Sequence, residues 1–300
     1  MAAIDCGTNS VRLLVADLSP GGALSEVVRR MEIVRLGQGV DRTGMLAPEA
    51  LERTRAALAG YAAEIASLGA ARVRMVATSA TRDASNAGEF HDMVCATLGV
   101  APEVISGDQE ARLSFAGAIR GLSAAPPYLV VDIGGGSTEF VRGESTVDDA
   151  LSVDIGCVRM TERYLHTDPP TAAEVAAATG YITAQVDRAL STVDGGSART
   201  VVGLAGSVTT VTAIALGLPE YRPERIHHAM VSTVDVARVT GDLLATSRSG
   251  RLAIPVMHPG RADVIGAGAL ILRTILQRGG FDNVVASEHD ILDGIALSLA

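Results

Sequence analysis

Residues 128–141 read YLVVDIGGGSTEFV. An apolar run carrying Asp132 meets three consecutive glycines, Gly134, Gly135 and Gly136, and then Ser137, Thr138 and Glu139. Glycines let a chain turn sharply and offer bare backbone N–H groups to a phosphate. Yet a carboxylate stands at each end of the turn. Acids beside a phosphate repel it unless a cation lies between them. Mg²⁺ does this, taking one or two carboxylates together with phosphate oxygens and water. The stretch therefore predicts a phosphate turn with a metal at its acidic edge. The plainer alternative makes Asp132 an ordinary turn aspartate bonded to loop N–H groups.

The same pattern occurs at the N-terminus. IDCGTNS (Ile4–Ser10) and VDIGGGS (Val131–Ser137) share an Asp, a Gly and a Ser at one constant offset of 127 residues. Each leads into a second strand-like segment, VRLLVAD and TEFVRG. A strand, a tight turn and a strand, occurring twice, predict two related domains that each offer one turn to a shared cleft. Asp5 thereby joins Asp132 and Glu139 as a metal candidate.

The remainder alternates α and β. A helix is expected from Pro48 to about Leu68, with Pro48 in its first turn, and another between an Asn86 cap and Gly99. Thr171 and Glu174 form a capping box before a long Ala-rich helix. The Ala-Pro-Pro at 125–127 marks the expected boundary, giving domains 1–124 and 125–300, with a final helix at about 290–300 packing back on the first domain. A third glycine turn, GLAGS (Gly203–Ser207), opens a helix. Gly206 and Ser207 there suit an anion, although Ser207 is also a preferred cap. Glu110 lies early in the helix of VISGDQEARLSFAGAI. It either complements the helix dipole or, at a cleft, orients and deprotonates a water. Arg12, Arg82 and Arg261 each stand near a turn, where a phosphate contact competes with plain surface placement.

Composition removes several classes. The chain has 300 residues, 48% of them hydrophobic, which suits two domains. It contains no lysine, so a G-x-x-x-x-G-K-[ST] loop is impossible, and its formal net charge of −9 argues against nucleic acid as a partner. The histidines show no zinc spacing, and three scattered cysteines suggest neither a disulfide framework nor a zinc site. No apolar run reaches about 18 residues and the start lacks a signal-peptide pattern, so no membrane is expected and the cytoplasm is the expected compartment.

AIDCGTNSVRLLVAD, VATSATRDASN, VISGDQEARLSFAGA, VVDIGGGSTEFV and GLAGSVTT, in this order, resemble the exopolyphosphatase / guanosine pentaphosphate phosphatase family of the actin-like ATPase superfamily. The resemblance spans nearly the whole chain. It implies an α/β actin-like (ribonuclease H-like) fold with two related domains around a central cleft. It implies Glu110 as catalytic base, Asp132 and Glu139 in Mg²⁺ and water placement, and Arg82 on phosphate, with Arg12 and Arg261 as looser matches. Thr8, Asn9 and Ser10 keep the donors of the first loop. The expected activity is Mg²⁺-dependent hydrolysis of the terminal phosphoanhydride of inorganic polyphosphate, by a homodimer. Guanosine pentaphosphate is the alternative substrate; an aromatic content of 3% without Trp leans toward polyphosphate. A kinase of the same fold or a nucleotide-gated binding module are the rivals of another class. Long members carry a helical C-terminal extension; a chain ending at Ala300 resembles the short form.

Overall fold

In the computed structural model, which describes residues 1–19 and 24–299, the duplicated stretch builds the same strand–turn–strand twice, once in each of two units. The first unit comprises Met1–Gly117 and Ile291–Ala300, the second Ala118–Asp290.

In the first unit, strands β1 (Ala2–Cys6), β2 (Ser10–Leu18), β3 (Leu24–Ile33), β4 (Val73–Ala77) and β5 (Glu103–Val104) form a sheet in the order β3-β2-β1-β4-β5. β1, β2 and β3 run antiparallel, while β4 and β5 continue parallel to β1. β1 is buried along its length, as a central strand covered on both faces must be. Helices α1 (Val40–Thr43), α2 (Pro48–Ser67), α3 (Ser79–Asp83), α4 (Ala87–Leu98) and α5 (Gly107–Ala118) follow. α2 buries Ala50, Thr54, Leu58, Tyr61 and Ile65, one face at helical spacing. α4 ends on Gly99 in the left-handed region, which a residue without Cβ adopts without strain. Asn86 precedes α4 but its side chain makes no cap; it bonds instead to the backbone N–H and C=O of Leu46.

The second unit repeats the arrangement with one strand added. β6 (Tyr128–Ile133), β7 (Thr138–Gly143), β8 (Val147–Val153), β9 (Thr200–Leu204), β10 (Met230–Ser232) and β11 (Asn283–Ala286) lie in the order β10-β11-β9-β6-β7-β8. β6, β7 and β8 are antiparallel, β9 and β11 continue in parallel, and β10 closes the edge antiparallel to β11. Helices α6 (Cys157–Tyr164), α7 (Ala172–Thr192), α8 (Ala205–Ala215), α9 (Pro223–Ile226), α10 (Thr233–Ala245), α11 (Arg248–Leu252) and α12 (Ile265–Gly279) complete it. α7 carries the Thr171–Glu174 capping box, with both reciprocal bonds made. α12 is buried on nearly all sides, which explains its apolar composition all round.

The chain then returns to the first unit as α13 (Ile291–Leu297). Ile291, Leu292 and Ile295 join Ala3, Leu14 and Val76 in one apolar cluster. Gly294 permits the approach, since a Cβ there would lie 2.0 Å from the Leu113 carbonyl oxygen. Each unit is thus a ribonuclease H-like α/β core, and a chain carrying this core twice is of the actin-like fold class. The division falls at Gly117/Ala118, ahead of the Ala-Pro-Pro segment. Among the described residues, no helix is long and apolar enough to cross a membrane.

Candidate active site

The glycine turn after β6 is built so that its amides point outward. Gly134 N–H closes it on Ser137 O at 3.0 Å. Cys157 N–H donates to Gly134 O at 2.9 Å, and Val158 and Arg159 N–H donate to Gly135 O at 2.9 and 3.1 Å. Arg159 Nε donates to Gly136 O at 2.7 Å. Three successive carbonyls are therefore held by the start of α6. A planar trans peptide points its N–H opposite its C=O, so the N–H groups of Gly135, Gly136 and Ser137 face away from α6. Such a row of amides is an anion nest. Gly156 makes the approach possible, because a Cβ there would sit 2.3 Å from the Gly135 carbonyl. Thr138 contributes differently than its sequence position suggests: its buried hydroxyl donates to Ile155 O.

The first unit repeats the device with a different clamp. Gly7 N–H bonds Ser10 O at 2.9 Å; Gly37 N–H holds Thr8 O at 2.8 Å, and Val34 and Arg35 N–H hold Asn9 O at 3.1 and 2.9 Å. The N–H groups of Asn9 and Ser10 are reversed accordingly.

The acids differ between the turns. Asp5 on β1 lies opposite Arg12 on β2, and Arg12 Nε and Nη2 donate to Asp5 Oδ2 at 3.0 and 2.7 Å. Asp132 on β6 lies opposite Glu139 on β7, with exposures of only 7% and 1%. Two acids directly opposed across an antiparallel pair repel each other. Glu139 Oε1 accepts a 2.7 Å bond from Ser152 Oγ. Hard carboxylate oxygens at the edge of an amide nest are the donor set Mg²⁺ takes when phosphate and water supply the rest. Among the described residues, no group of three or more His, Cys, Asp or Glu side chains is placed to hold a metal ion. Asp5, by contrast, is paired with Arg12.

Glu110 stands in the first turn of α5 and is buried, 8% exposed. Its Oε2 accepts from Arg82 Nη1 at 3.0 Å, and the same nitrogen donates to Ile105 O at 2.8 Å. Arg82, in the last turn of α3, thus ties that helix to the start of α5 and fixes the Glu110 carboxylate. The structure brings these two sequence-predicted residues into one ion pair.

The third turn also assembles its predicted residues. Ala205 takes φ +65°, a strained value for a side chain with Cβ. The Arg261 guanidinium lies against Gly206, where a Cβ would be 2.2 Å from its Cζ. Arg261 Nη1 donates to Thr210 Oγ1 at 3.2 Å. Arg261 lies in a 3₁₀ turn at Pro259–Arg261, before α12 rather than at its start. Ser207 faces inward, hydrogen-bonded to Cys157, and its Oγ occupies the space over Gly268. Burial pushes the Cys157 thiol up to about 11, against the opposing effects of Ser207 and the Arg261 charge.

Residues 14–299 match the Ppx/GppA phosphatase family. The chain belongs to that family. It is 52% identical over 313 residues to Exopolyphosphatase 2 of Mycobacterium tuberculosis, covering 100% of this chain and 98% of that protein. The crystal structure of an exopolyphosphatase-like protein superposes with a TM-score of 0.96 at 44% identity, covering 99% of this chain and 98% of the other. The Ppx/GppA family member of Aquifex aeolicus gives 0.84 at 31% identity, covering 99% and 96%. The chain is therefore an enzyme of a phosphatase family.

Against this Ppx/GppA background, the second unit holds polar residues that sequence spacing does not single out. Tyr221 OH donates to Glu288 Oε1 at 2.6 Å and bonds Thr209 Oγ1 at 2.7 Å, behind the third turn. Glu288 N–H donates to His227 Nδ1 at 3.2 Å, and His227 stacks on His228 at 3.7 Å. These residues lie far apart in sequence and carry no local motif. Ser152 belongs to the same class, since only the strand register reveals its partner.

Proposed function

We propose that the chain is an exopolyphosphatase that releases orthophosphate from the end of an inorganic polyphosphate. The reading is carried by one observation: the buried cross-strand pair Asp132–Glu139 at the edge of an outward-facing amide turn. The name of the Mycobacterium tuberculosis relative supports the substrate. Gly135, Gly136 and Ser137 N–H groups bind oxygens of the phosphate to be released, and Asn9 and Ser10 N–H groups together with Arg82 and Arg261 bind further phosphate oxygens. Asp132 and Glu139 hold Mg²⁺, which when bound neutralises phosphate charge. Glu110 accepts the proton of a water. The water oxygen bonds to the terminal phosphorus, the bridging P–O bond breaks, and the shortened chain leaves with the electron pair. Positioning and charge stabilisation supply most of the acceleration, as in other phosphoryl transfers.

The test is phosphate release by the purified protein with Mg²⁺, on polyphosphate, guanosine pentaphosphate and nucleoside triphosphates in parallel. Release from polyphosphate at the highest kcat/KM is expected. Preference for guanosine pentaphosphate would replace the substrate while keeping the chemistry. No release from any of them would remove the hydrolytic reading.

A further inference from the structure

A row of side chains crosses three strands of the second unit. Asp132 on β6 faces Glu139 on β7, and Glu139 faces Ser152 on β8. Ser152 stands on the edge strand and is half-buried, whereas Glu139 is fully enclosed. The hydroxyl reaches Glu139 Oε1 at 2.7 Å. The corresponding row in the first unit runs Asp5, Arg12, Met31. There the middle residue is a cation, and its outer neighbour is a thioether with no proton to donate. The hydrogen-bond donor occurs in the unit where the middle residue is a carboxylate.

We infer that Ser152 is a positioning residue of the hydrolytic site, acting through Glu139. The terminal torsion of a glutamate is broad, so its two oxygens are not fixed by rotamer preference. A hydrogen bond to one oxygen selects one orientation of the carboxylate. Ser152 approaches from the strand opposite Asp132, so the bond it makes keeps Glu139 Oε1 on the β8 side of the row. Partners of this kind set the affinity of a carboxylate for a cation, and losing one typically costs 10–100-fold. This inference rests on the proposal that Asp132 and Glu139 hold Mg²⁺.

The test compares Ser152→Thr, which keeps the hydroxyl, with Ser152→Val, which has nearly the same shape without it. Both suit a half-exposed strand position. Mg²⁺ binding to metal-stripped protein is measured by calorimetry, alongside kcat, KM and the unfolding midpoint in chelator. Ser152→Val is expected to bind Mg²⁺ about tenfold more weakly or worse than Ser152→Thr. Its kcat falls at low Mg²⁺ and recovers as Mg²⁺ rises, with an unchanged KM for polyphosphate and an unchanged midpoint in chelator. Equal Mg²⁺ affinity in the two variants overturns the assignment. Glu139→Gln is the control on the underlying reading. If it loses Mg²⁺ affinity while Ser152→Val does not, only the Ser152 role falls. If Glu139→Gln binds Mg²⁺ like the wild type, the metal reading and this inference fall together.

Discussion

Arg12 and Glu139 occupy the same register position in the two units, each directly across an antiparallel pair from an aspartate. In the first unit the pair is Asp5–Arg12, an ion pair at 2.7 Å. In the second it is Asp132–Glu139, two buried acids. The turns share their backbone and differ in charge. Opposite charges face each other in the first unit and like charges in the second.

That difference predicts a stability effect separable from activity. In chelator, Glu139→Gln should raise the unfolding midpoint by relieving like-charge repulsion across the strands. Opposed like charges cost about 0.2–1 kcal/mol, or about 0.3–2 °C for a protein of this size. Adding Mg²⁺ should raise the wild-type midpoint and leave the variant nearly unmoved. Scanning fluorimetry with and without chelator measures both. An unchanged variant midpoint in chelator would mean that the two acids are already neutralised within the unit.

Arg82 connects α3, the Ile105 carbonyl and Glu110 through one nitrogen. Arg82→Ala should lower kcat/KM by about 10–100-fold, the loss of a charge-assisted contact of about 1.5–3 kcal/mol. Arg82→Lys keeps the charge but not the planar fork, and should recover only part of that. Steady-state kinetics on all three proteins decides. Wild-type kcat/KM in Arg82→Ala would confine Arg82 to a structural tie between α3 and α5.

The turn after β9 predicts opposite outcomes at adjacent residues. Ala205 is held at φ +65°, so Ala205→Gly should stabilise the protein by about 0.5–1 kcal/mol. A Cβ at Gly206 would collide with the Arg261 guanidinium, the far end of a flexible side chain that can move aside. Gly206→Ala should therefore fold normally while KM rises, because Arg261 is displaced. Midpoints and KM values of the two variants check the pair. A Gly206→Ala enzyme with unaltered KM would remove Arg261 from substrate binding.

His228 gives a pH dependence. Burial, with the neighbouring His289 adding to it, holds its pKa below the ordinary 6.5. Tyr221, Glu288 and His227 belong to the same network. The unfolded chain then binds a proton that the folded chain resists, so stability rises with pH in that window. The contribution is fully present above about pH 6.5 and is lost as the pH falls below it. His228→Asn suits the left-handed backbone at this position and cannot titrate. Its midpoint should fall less than the wild type's between about pH 7 and about pH 5. Parallel curves for the two proteins would assign the pH dependence to other groups.

Much of this was legible in the sequence because the signals are local. The repeated Asp-x-Gly-x-x-Ser fixed both strand–turn–strand units, and Thr171 with Glu174 marked a helix start that the structure forms. Pro48 likewise marked the start of α2. What was not legible depends on register or on distant chain. β8 alternates weakly on a sheet edge, so Ser152 could not be matched to Glu139. Arg12 read as a phosphate contact, and its pairing with Asp5 appears only when β1 and β2 are aligned. Thr138 and Ser207 read as phosphate-binding residues at turns, Ser207 alternatively as a cap, but their hydroxyls bond inward to Ile155 and Cys157. A hydroxyl beside a glycine turn serves a ligand or its own backbone, and local sequence does not distinguish the two.

Glu110→Gln distinguishes a proton acceptor from a structural carboxylate. The change keeps the side-chain shape and an oxygen that can still accept from Arg82 Nη1, now 3.0 Å from Glu110 Oε2, but it removes the capacity to take a proton. If Glu110 is the base, kcat should fall by about 10²-fold or more while KM and Mg²⁺ affinity stay close to wild type. If Glu110 serves only the start of α5 and its pair with Arg82, the effect should appear in stability instead, at about 0.3–1 kcal/mol for a helix-start carboxylate, with turnover nearly intact. The two variants at this ion pair complement each other. Arg82→Ala strips the partner and leaves the carboxylate, so it should lower kcat through misorientation and also weaken substrate binding. Glu110→Gln should lower kcat alone. Measuring kcat, KM and the midpoint on both variants separates a base from a brace. Near-wild-type turnover in Glu110→Gln would transfer the proton-accepting role to Glu139, the glutamate enclosed beside the second glycine turn.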